Sequence, residues 1–322
     1  MRRISLSLPR AIPLLLFMII LAGCVDQHPD GAAASADAGT SGPAATAADD
    51  GASGDGAPDA VESGGMRIVA TSMATVEIMD KLGVDLIGVP HSNLTKAPER
   101  YKDVPEIGMP MSPDIELIRS MAPDIVLSPT SLEPDLRPKY EAAGLDCYFL
   151  DLKSVDGMYR SIEYLGEMTD RRDKARELAA EYEGFLAGYA EGREGETPPR
   201  ALVLMGLPGS YIVATEHSYV GDLVRMAGCE NVYAGETEEF IAANTEDMLG
   251  RDPDVILRAA HALPDDVVEM FAEEFAENDI WKHFRAVEEG RVYDLPYEQF
   301  GMSATFLYPE ALETLDGMVR GE

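Results

Sequence analysis

Basic residues are scarce in this chain of 322 residues: 26 lysines and arginines stand against 58 aspartates and glutamates, a formal net charge of −32. Nucleic acids are bound mainly through lysine and arginine, so this balance argues against a nucleic-acid-binding protein. It also argues against a basic surface for anionic lipid headgroups. We interpret the excess of acid as a solvated surface that keeps the protein soluble.

Cysteines and catalytic motifs are scarce as well. The chain has three cysteines and no Cys-x-x-Cys pair, which argues against zinc-ribbon and thioredoxin chemistry. It contains no Gly-x-Ser-x-Gly nucleophile elbow, no Walker loop and no His-Glu-x-x-His zinc motif. Because no group of residues indicates acid–base or nucleophilic catalysis, we expect the protein not to be an enzyme.

Long apolar runs are limited to the N-terminus. Arg2 and Arg3 precede an apolar run at residues 11–22, and Leu21-Ala22-Gly23-Cys24 closes it. This run is shorter than the roughly 20 residues of a membrane-spanning helix. The pattern is typical of a secretory signal, and its end resembles the processing site of bacterial lipoproteins. We therefore predict a signal peptide at residues 1–23, and Cys24 as an acylated N-terminus on the outer face of the cell membrane.

Large apolar residues are almost absent from residues 24–65, which are rich in Ala, Gly, Ser, Thr, Pro and Asp. Such a segment buries too little surface to offset its chain entropy. We predict that it is a disordered acidic tether between the lipid and a folded part at residues 66–322.

The folded part alternates predicted strands with predicted helices, which favours an α/β fold. A helix over residues 76–82 ends at Gly83, and Ser112-Pro113-Asp114 is a typical helix start. Helices are also predicted over residues 154–168, 171–192 and 218–227. The predicted strands share short apolar runs: residues 67–70, 86–89, 124–127, 148–150, 201–204 and 254–257.

A sequence echo indicates two related halves. Glu116 precedes Pro123-Asp124 and a buried strand, and Glu246 precedes Pro253-Asp254 and a similar strand at the same spacing. We therefore predict two Rossmann-like parallel-sheet lobes joined by a single long helix, with a ligand cleft between the lobes. The expected boundaries are residues 66–169 for the N-terminal lobe, 170–196 for the connecting helix and 197–322 for the C-terminal lobe.

In parallel α/β sheets, ligands bind at the carboxyl ends of the strands. His261 directly follows a strand, and Met109 and Met111 flank Pro110 in a loop of the other lobe. A Met thioether and a His imidazole form a known axial pair for haem iron, although most Met residues are core fillers and a lone His is often a hydrogen-bonded loop residue. The other candidates for lining the cleft are Thr71, Ser72, His91, Ser128, Pro208, Gly209, Ser210, His217 and Tyr219.

Several stretches carry a family resemblance, among them Pro110-Met111-Ser112-Pro113-Asp114, Leu257-Arg258-Ala259-Ala260-His261 and Phe300-Gly301-Met302. Through them, residues 66–322 resemble the haem-binding substrate-binding lipoproteins of ABC importers. These belong to the periplasmic-binding-protein class in which one long helix joins two lobes. The resemblance implies that haem is the transported ligand and that Met111 and His261 ligate its iron. It leaves open whether Met109 replaces Met111.

The resemblance also implies an ABC permease as partner, contacted by Glu116 and Glu246. As residues of a first helical turn, both glutamates also stabilise the helix dipole. Haem-donor surface proteins are further candidate partners, and we expect a monomer. Two alternatives remain at this point: the same fold binding an iron-siderophore or a corrinoid, and a haem-processing enzyme.

Overall fold

The computed structural model describes residues 65–190 and 197–320. The predicted signal peptide, Cys24 and the tether as far as residue 64 lie outside the described residues. Within the described residues, no helix combines the length and the apolar character needed to cross a membrane.

Strands and helices alternate along the described chain, as the sequence predicts. The strands are β1 (Ile68–Ala70), β2 (Gly108–Met109), β3 (Ser112–Pro113), β4 (Ile125–Pro129), β5 (Cys147–Leu150), β6 (Arg200–Leu207), β7 (Ser210–Ala214), β8 (Glu230–Asn231), β9 (Phe240–Ala242), β10 (Val255–Ala260) and β11 (Val292–Asp294). The α-helices are α1 (Met73–Leu82), α2 (Ile115–Ser120), α3 (Glu133–Ala142), α4 (Val155–Met168), α5 (Arg172–Ala190), α6 (Tyr219–Met226), α7 (Thr245–Gly250), α8 (Pro264–Glu277), α9 (Arg285–Glu288) and α10 (Tyr308–Arg320).

The N-terminal lobe is built on a parallel sheet in the order β1-β4-β5, with Val69 opposite Val126 and Leu127 opposite Tyr148. The strand predicted over residues 86–89 is not formed as a strand. Its backbone makes only isolated bridges, from Gly88 to Val69 and from Val89 to Glu106. Pro90 follows at once and has no N–H to extend the pairing.

The C-terminal lobe has a larger sheet in the order β11-β10-β6-β7-β9, with β8 also paired to β6. Strands β11, β10, β6 and β8 are parallel, whereas β7 and β9 join antiparallel. The α/β class is confirmed, but this sheet is mixed rather than purely parallel. The chain reverses after β6 at Pro208-Gly209, where Gly209 has φ +80°, a conformation that glycine adopts without steric cost.

Helix starts follow local capping chemistry. The hydroxyls of Ser72, Ser154 and Ser218 accept backbone N–H bonds at the starts of α1, α4 and α6. The predicted helix start at Ser112 is wrong. Ser112 and Pro113 form β3 and pair antiparallel with β2, and α2 begins instead after Asp114, whose Oδ1 accepts the N–H of Leu117 at 2.9 Å.

Helix α5 links the two sheets along the chain and packs against helices of both lobes. The ring of Tyr182 stacks on Tyr159 of α4 at 4.3 Å between centroids and meets Tyr308 of α10 edge-on at 5.7 Å. Aromatic pairs in these geometries contribute beyond their buried area. The last residues of the predicted connecting helix, 191–196, are outside the described residues.

The sequence echo extends to hydrogen bonds. The backbone N–H of Arg67 donates to Asp124 Oδ2 at 2.7 Å, and the backbone N–H of Arg200 donates to Asp254 Oδ2 at 2.8 Å. Both arginine side chains then donate to carbonyl oxygens of the turn before the strand. The two halves therefore repeat one helix–turn–strand unit, whose turn is hydrogen-bonded to the start of the neighbouring strand.

Candidate ligand-binding site

His261 is held by the central sheet of the C-terminal lobe. It directly follows β10, and its backbone N–H donates to the carbonyl of Gly206 in β6 at 2.9 Å. The side chain is half-buried, and Nδ1 is shielded from solvent without a hydrogen-bond partner among the described residues. Burial lowers the pKa of His261 below its ordinary value, so the imidazole is neutral, which is the form that ligates metals.

Met111 is presented by a two-stranded hairpin of the N-terminal lobe. Strands β2 and β3 pair through Gly108 with Pro113 and Met109 with Ser112, leaving Pro110 and Met111 at the turn. Gly108 has φ +93°, which favours glycine. Met111 is 62% exposed and Met109 45% exposed, so neither thioether is a core filler.

Met111 and His261 line one cavity of about 500 Å³, each from its own lobe. This volume lies within the range of about 300–1,000 Å³ typical of small-molecule and cofactor sites. The lining residues are Ser72, Met73, Ala74, Glu77, Thr95, Pro110, Met111, Pro129, Ser131, Leu132, Asp135, His261, Tyr297, Glu298, Gly301, Met302, Ser303, Thr305 and Leu307.

The charged lining groups of the cavity are all acidic. Glu77, Asp135 and Glu298 contribute carboxyl groups, and no lysine or arginine is among the lining residues in the described part of the chain. Burial raises the pKa of Glu77 above its ordinary value. An anionic ligand therefore finds no lysine or arginine partner among the described residues of the cavity wall.

Three of the predicted site residues, Ser72, Met111 and His261, share this cavity. Thr71 and Ser128 do not line it, because both are buried: Thr71 Oγ1 hydrogen-bonds Ser128 Oγ at 2.6 Å. Tyr219 is 1% exposed and lies inside the core instead. The positions of the strand ends predict correctly which edge of the sheet carries the cavity. They do not predict which side chains at that edge face the cavity and which face the core.

The remaining candidates lie elsewhere on the surface. Met109 is exposed outside the cavity lining, and Pro208, Gly209 and Ser210 are exposed at the turn between β6 and β7. His217 lines a separate cavity of about 310 Å³, and its Nε2 lies 2.9 Å from the carbonyl of Glu236. His91 pairs with Glu106 rather than facing the cavity.

Sequence reasoning missed the segment from Tyr297 to Leu307, which supplies much of the C-terminal wall. This segment follows β11, whose carboxyl end lies beside that of β10 in the parallel part of the sheet. The strand-end rule would have located it, but β11 is only three residues long and was not predicted.

Glu116 and Glu246 occupy the same place on the two lobes. Each is the second residue of a short helix, α2 or α7, and both are exposed. Glu116 pairs with Arg119 one turn later, whereas Glu246 makes no ion pair within the described residues. The two carboxylates are therefore equivalent in position but not in charge environment.

The comparisons with known proteins define the class. A periplasmic binding protein family model matches residues 68–298. The chain therefore belongs to the periplasmic binding protein family. It is a substrate-binding protein and not an enzyme, as the sequence predicts.

Among its relatives is the high-affinity heme uptake system protein IsdE of Staphylococcus aureus strain Newman. It is 41% identical over 259 residues, which cover 80% of this chain and 88% of that protein. The crystal structure of S. aureus IsdE complexed with heme matches with a TM-score of 0.75 and 40% identity, covering 79% of this chain and 98% of that one. An ABC transporter substrate-binding protein from Listeria monocytogenes EGD-e matches with a TM-score of 0.76 and 47% identity, covering 80% and 100%.

Proposed function

We propose that this protein binds haem in the cavity between its lobes, with Met111 and His261 as the two axial ligands of the iron. The observation that carries the proposal is the convergence of two groups on one cavity from opposite lobes: an exposed thioether, and a neutral imidazole whose Nδ1 has no hydrogen-bond partner in the described part of the chain. A Met/His pair is an established haem ligand set. The IsdE relatives, named for heme uptake, support the same cargo.

An absorption titration with haemin tests the proposal. The purified protein is expected to saturate at one haemin per chain and, on binding, to shift and sharpen the intense absorption band of haemin. Parallel titrations with an iron-siderophore and with a corrinoid test the other cargoes that this fold carries. Saturable binding of either one, without binding of haemin, would overturn the haem proposal and leave the protein class intact.

We further propose that the protein delivers haem to the permease of an ABC importer through Glu116 and Glu246. Their equivalent positions on the two lobes and their exposure suit paired contacts with arginines of a permease. Single exposed ion pairs contribute about 0–1 kcal/mol, but two of them fix orientation and raise the encounter rate.

A charge-reversed variant tests the docking proposal. Glu116→Lys with Glu246→Lys is expected to keep the haem spectrum and to lower haem-dependent uptake in cells. Glu310→Lys with Glu313→Lys, at two exposed acids of α10, makes the same change in net charge away from the paired helices and serves as control. Normal uptake by the first variant at wild-type protein level would show that Glu116 and Glu246 only stabilise their helices.

We also propose that Cys24 is acylated and that the mature chain is anchored to the outer face of the cell membrane. The support is the sequence pattern ending in Leu-Ala-Gly-Cys. Membrane fractionation of a lipoprotein-processing host checks it: wild type is expected in the membrane fraction, and Cys24→Ala is expected to lose the lipid or remain uncleaved. An unmodified Cys24 found by mass spectrometry of the native membrane fraction would contradict the anchor.

A further inference from the structure

His91 connects two separate parts of the cavity mouth. Thr95 lines the cavity from the loop after His91, and Met111 lines it from the hairpin. The imidazole of His91 lies between the loop that carries Thr95 and the segment before the hairpin. Its Nδ1 is 2.6 Å from Glu106 Oε2, and its Nε2 is 3.0 Å from Asn93 Oδ1. His91 is therefore in contact with both the loop and the segment that leads into the hairpin.

The main chain of His91 also reaches the base of the hairpin. Its backbone N–H donates to the carbonyl of Gly108 at 2.8 Å, and the neighbouring Ile107 N–H donates to the carbonyl of Val89 at 2.9 Å. On the other side, the hydroxyl of Ser92 accepts the N–H of Thr95 at 3.0 Å. A short chain of hydrogen bonds thus runs from Thr95 through His91 to the hairpin that presents Met111.

Both ring nitrogens of His91 face oxygen acceptors, a carboxylate and an amide carbonyl. The imidazolium form of His91 suits both acceptors, since it donates from both ring nitrogens. The hydrogen bond to Glu106 raises the pKa of His91, and the bond to Asn93 adds to the shift. Glu106 is the titratable group whose charge acts on this ring among the described residues.

We propose that protonated His91 is a positioning residue: it clasps the loop carrying Thr95 to the hairpin carrying Met111 and so slows release of the bound ligand. The proposal rests on the proposed haem function, since it acts through Met111. The clasp is complete below the ordinary pKa of histidine and is lost as pH rises through the raised pKa of His91. Retention of the ligand through this clasp is therefore greatest on the acidic side of neutrality.

Haemin dissociation into an excess of a competing haem-binding protein measures the clasp. At pH 6, His91→Gln is expected to release haemin about three- to fivefold faster than wild type, the range for an exposed ion pair. The ratio of the two rates is expected to approach one by pH 9. The matched control is His217→Gln, since His217 is an exposed histidine outside this cavity; its rate ratio is expected to stay near one at both pH values.

A double-mutant cycle separates positioning from a general structural effect. In a Met111→Ala background, His91→Gln is expected to have little further effect on the release rate. Equal effects of His91→Gln in both backgrounds, or a rate ratio independent of pH, would overturn the proposal.

Amide hydrogen exchange of the ligand-free protein gives a readout that does not depend on haem. The amides of residues 107–113 are expected to exchange faster in His91→Gln than in wild type at pH 6. Unchanged exchange would overturn the clasp whatever the ligand is. Failure of wild type to bind haemin, with the exchange difference present, would refute only the haem proposal.

Discussion

The two sides of the cavity are built differently. His261 continues a central strand of the C-terminal sheet, with its backbone bonded to Gly206 and one ring nitrogen shielded from solvent. Met111 sits at the turn of a two-residue-per-strand hairpin and is 62% exposed. His261 is thus held in place by the core before haem binds, whereas the Met111 side chain is free to adjust.

This difference indicates how the free energy of binding divides. A side chain that is already held in place, such as His261, loses little conformational freedom when haem binds. A long flexible methionine side chain loses more. We therefore expect His261 to contribute more to affinity than Met111.

The largest expected effect is that of His261→Ala. Removing a residue that only supports a metal ligand costs about 10–100-fold in affinity, and we expect removal of the fixed ligand His261 to cost at least about 100-fold. Met111→Ala is expected to weaken haemin binding less, by about tenfold. Haemin titrations followed by absorbance measure both, with thermal unfolding as a check that the fold is retained.

Met109→Ala is the control for this prediction, because Met109 is an exposed thioether two residues from Met111 that does not line the cavity. It is expected to bind haemin as wild type does. A larger loss for Met109→Ala than for Met111→Ala would move the ligand by two residues. A larger loss for Met111→Ala than for His261→Ala would break the comparison between a fixed and an adjustable side.

Gly206→Ala is expected to have a smaller effect on haemin affinity, and it tests whether the sheet beside His261 holds that residue in place. A Cβ on Gly206 would lie 2.3 Å from Val267 Cγ1 and 2.7 Å from Phe271 Cε2, both on α8. Gly206→Ala is therefore expected to cost about 1–3 kcal/mol of stability by overpacking. It is also expected to lower haemin affinity by several-fold, since Gly206 holds the backbone of His261. Denaturant unfolding and haemin titration measure the two effects.

Gly184→Ala is the matched control for this substitution. Gly184 is on the exposed face of α5, and a Cβ there would meet nothing within 4 Å. Alanine in place of a helical glycine is expected to add up to about 1 kcal/mol of stability and to leave haemin binding unchanged. If Gly206→Ala lost stability while keeping full affinity, the placement of His261 would not depend on this part of the sheet.

Local signals in the sequence predicted the parts of the fold that depend on neighbouring residues. Gly83 ends α1 as expected, although the helix begins at Met73 rather than at residue 76, and the Pro-Asp echo repeats in the hydrogen bonds of both lobes. His261 follows a strand because an apolar run ends directly before it. Each of these features is determined by a few consecutive residues, so the sequence alone predicts it.

The predictions from sequence were wrong where strand pairing or packing against other segments decides the structure. Ser112-Pro113-Asp114 suits a helix start, yet antiparallel pairing with Gly108 and Met109 makes the first two residues a strand. Thr71 and Ser128 are polar residues at strand ends, but they bond to one another and stay buried. The wall from Tyr297 to Leu307 has no helical or strand periodicity to reveal it.

The smallest expected effect concerns a contact between the lobes. Lys153 Nζ lies 3.3 Å from Glu239 Oε2, and the Glu239 side chain is only 15% exposed. Its other oxygen, Oε1, is buried without a partner among the described residues. Burial raises the pKa of Glu239, and Lys153 offsets this only in part. The folded state therefore favours the neutral carboxyl more than the unfolded chain does.

Glu239→Gln is accordingly expected to raise the free energy of unfolding at pH 7 by less than about 1 kcal/mol. Thermal unfolding should show this as a slightly higher unfolding temperature. A group with a raised folded pKa binds its proton more readily in the native state, so wild type gains stability as pH falls through that pKa. Glutamine does not titrate, and the advantage of the variant is expected to shrink between pH 7 and pH 5. The exposed neighbour Glu238 supplies the control, Glu238→Gln. Haemin affinity is expected to stay at the wild-type value in both variants, because each side of the cavity is positioned by its own lobe. A changed affinity in Glu239→Gln alone would show that the contact between the lobes also positions Met111 and His261.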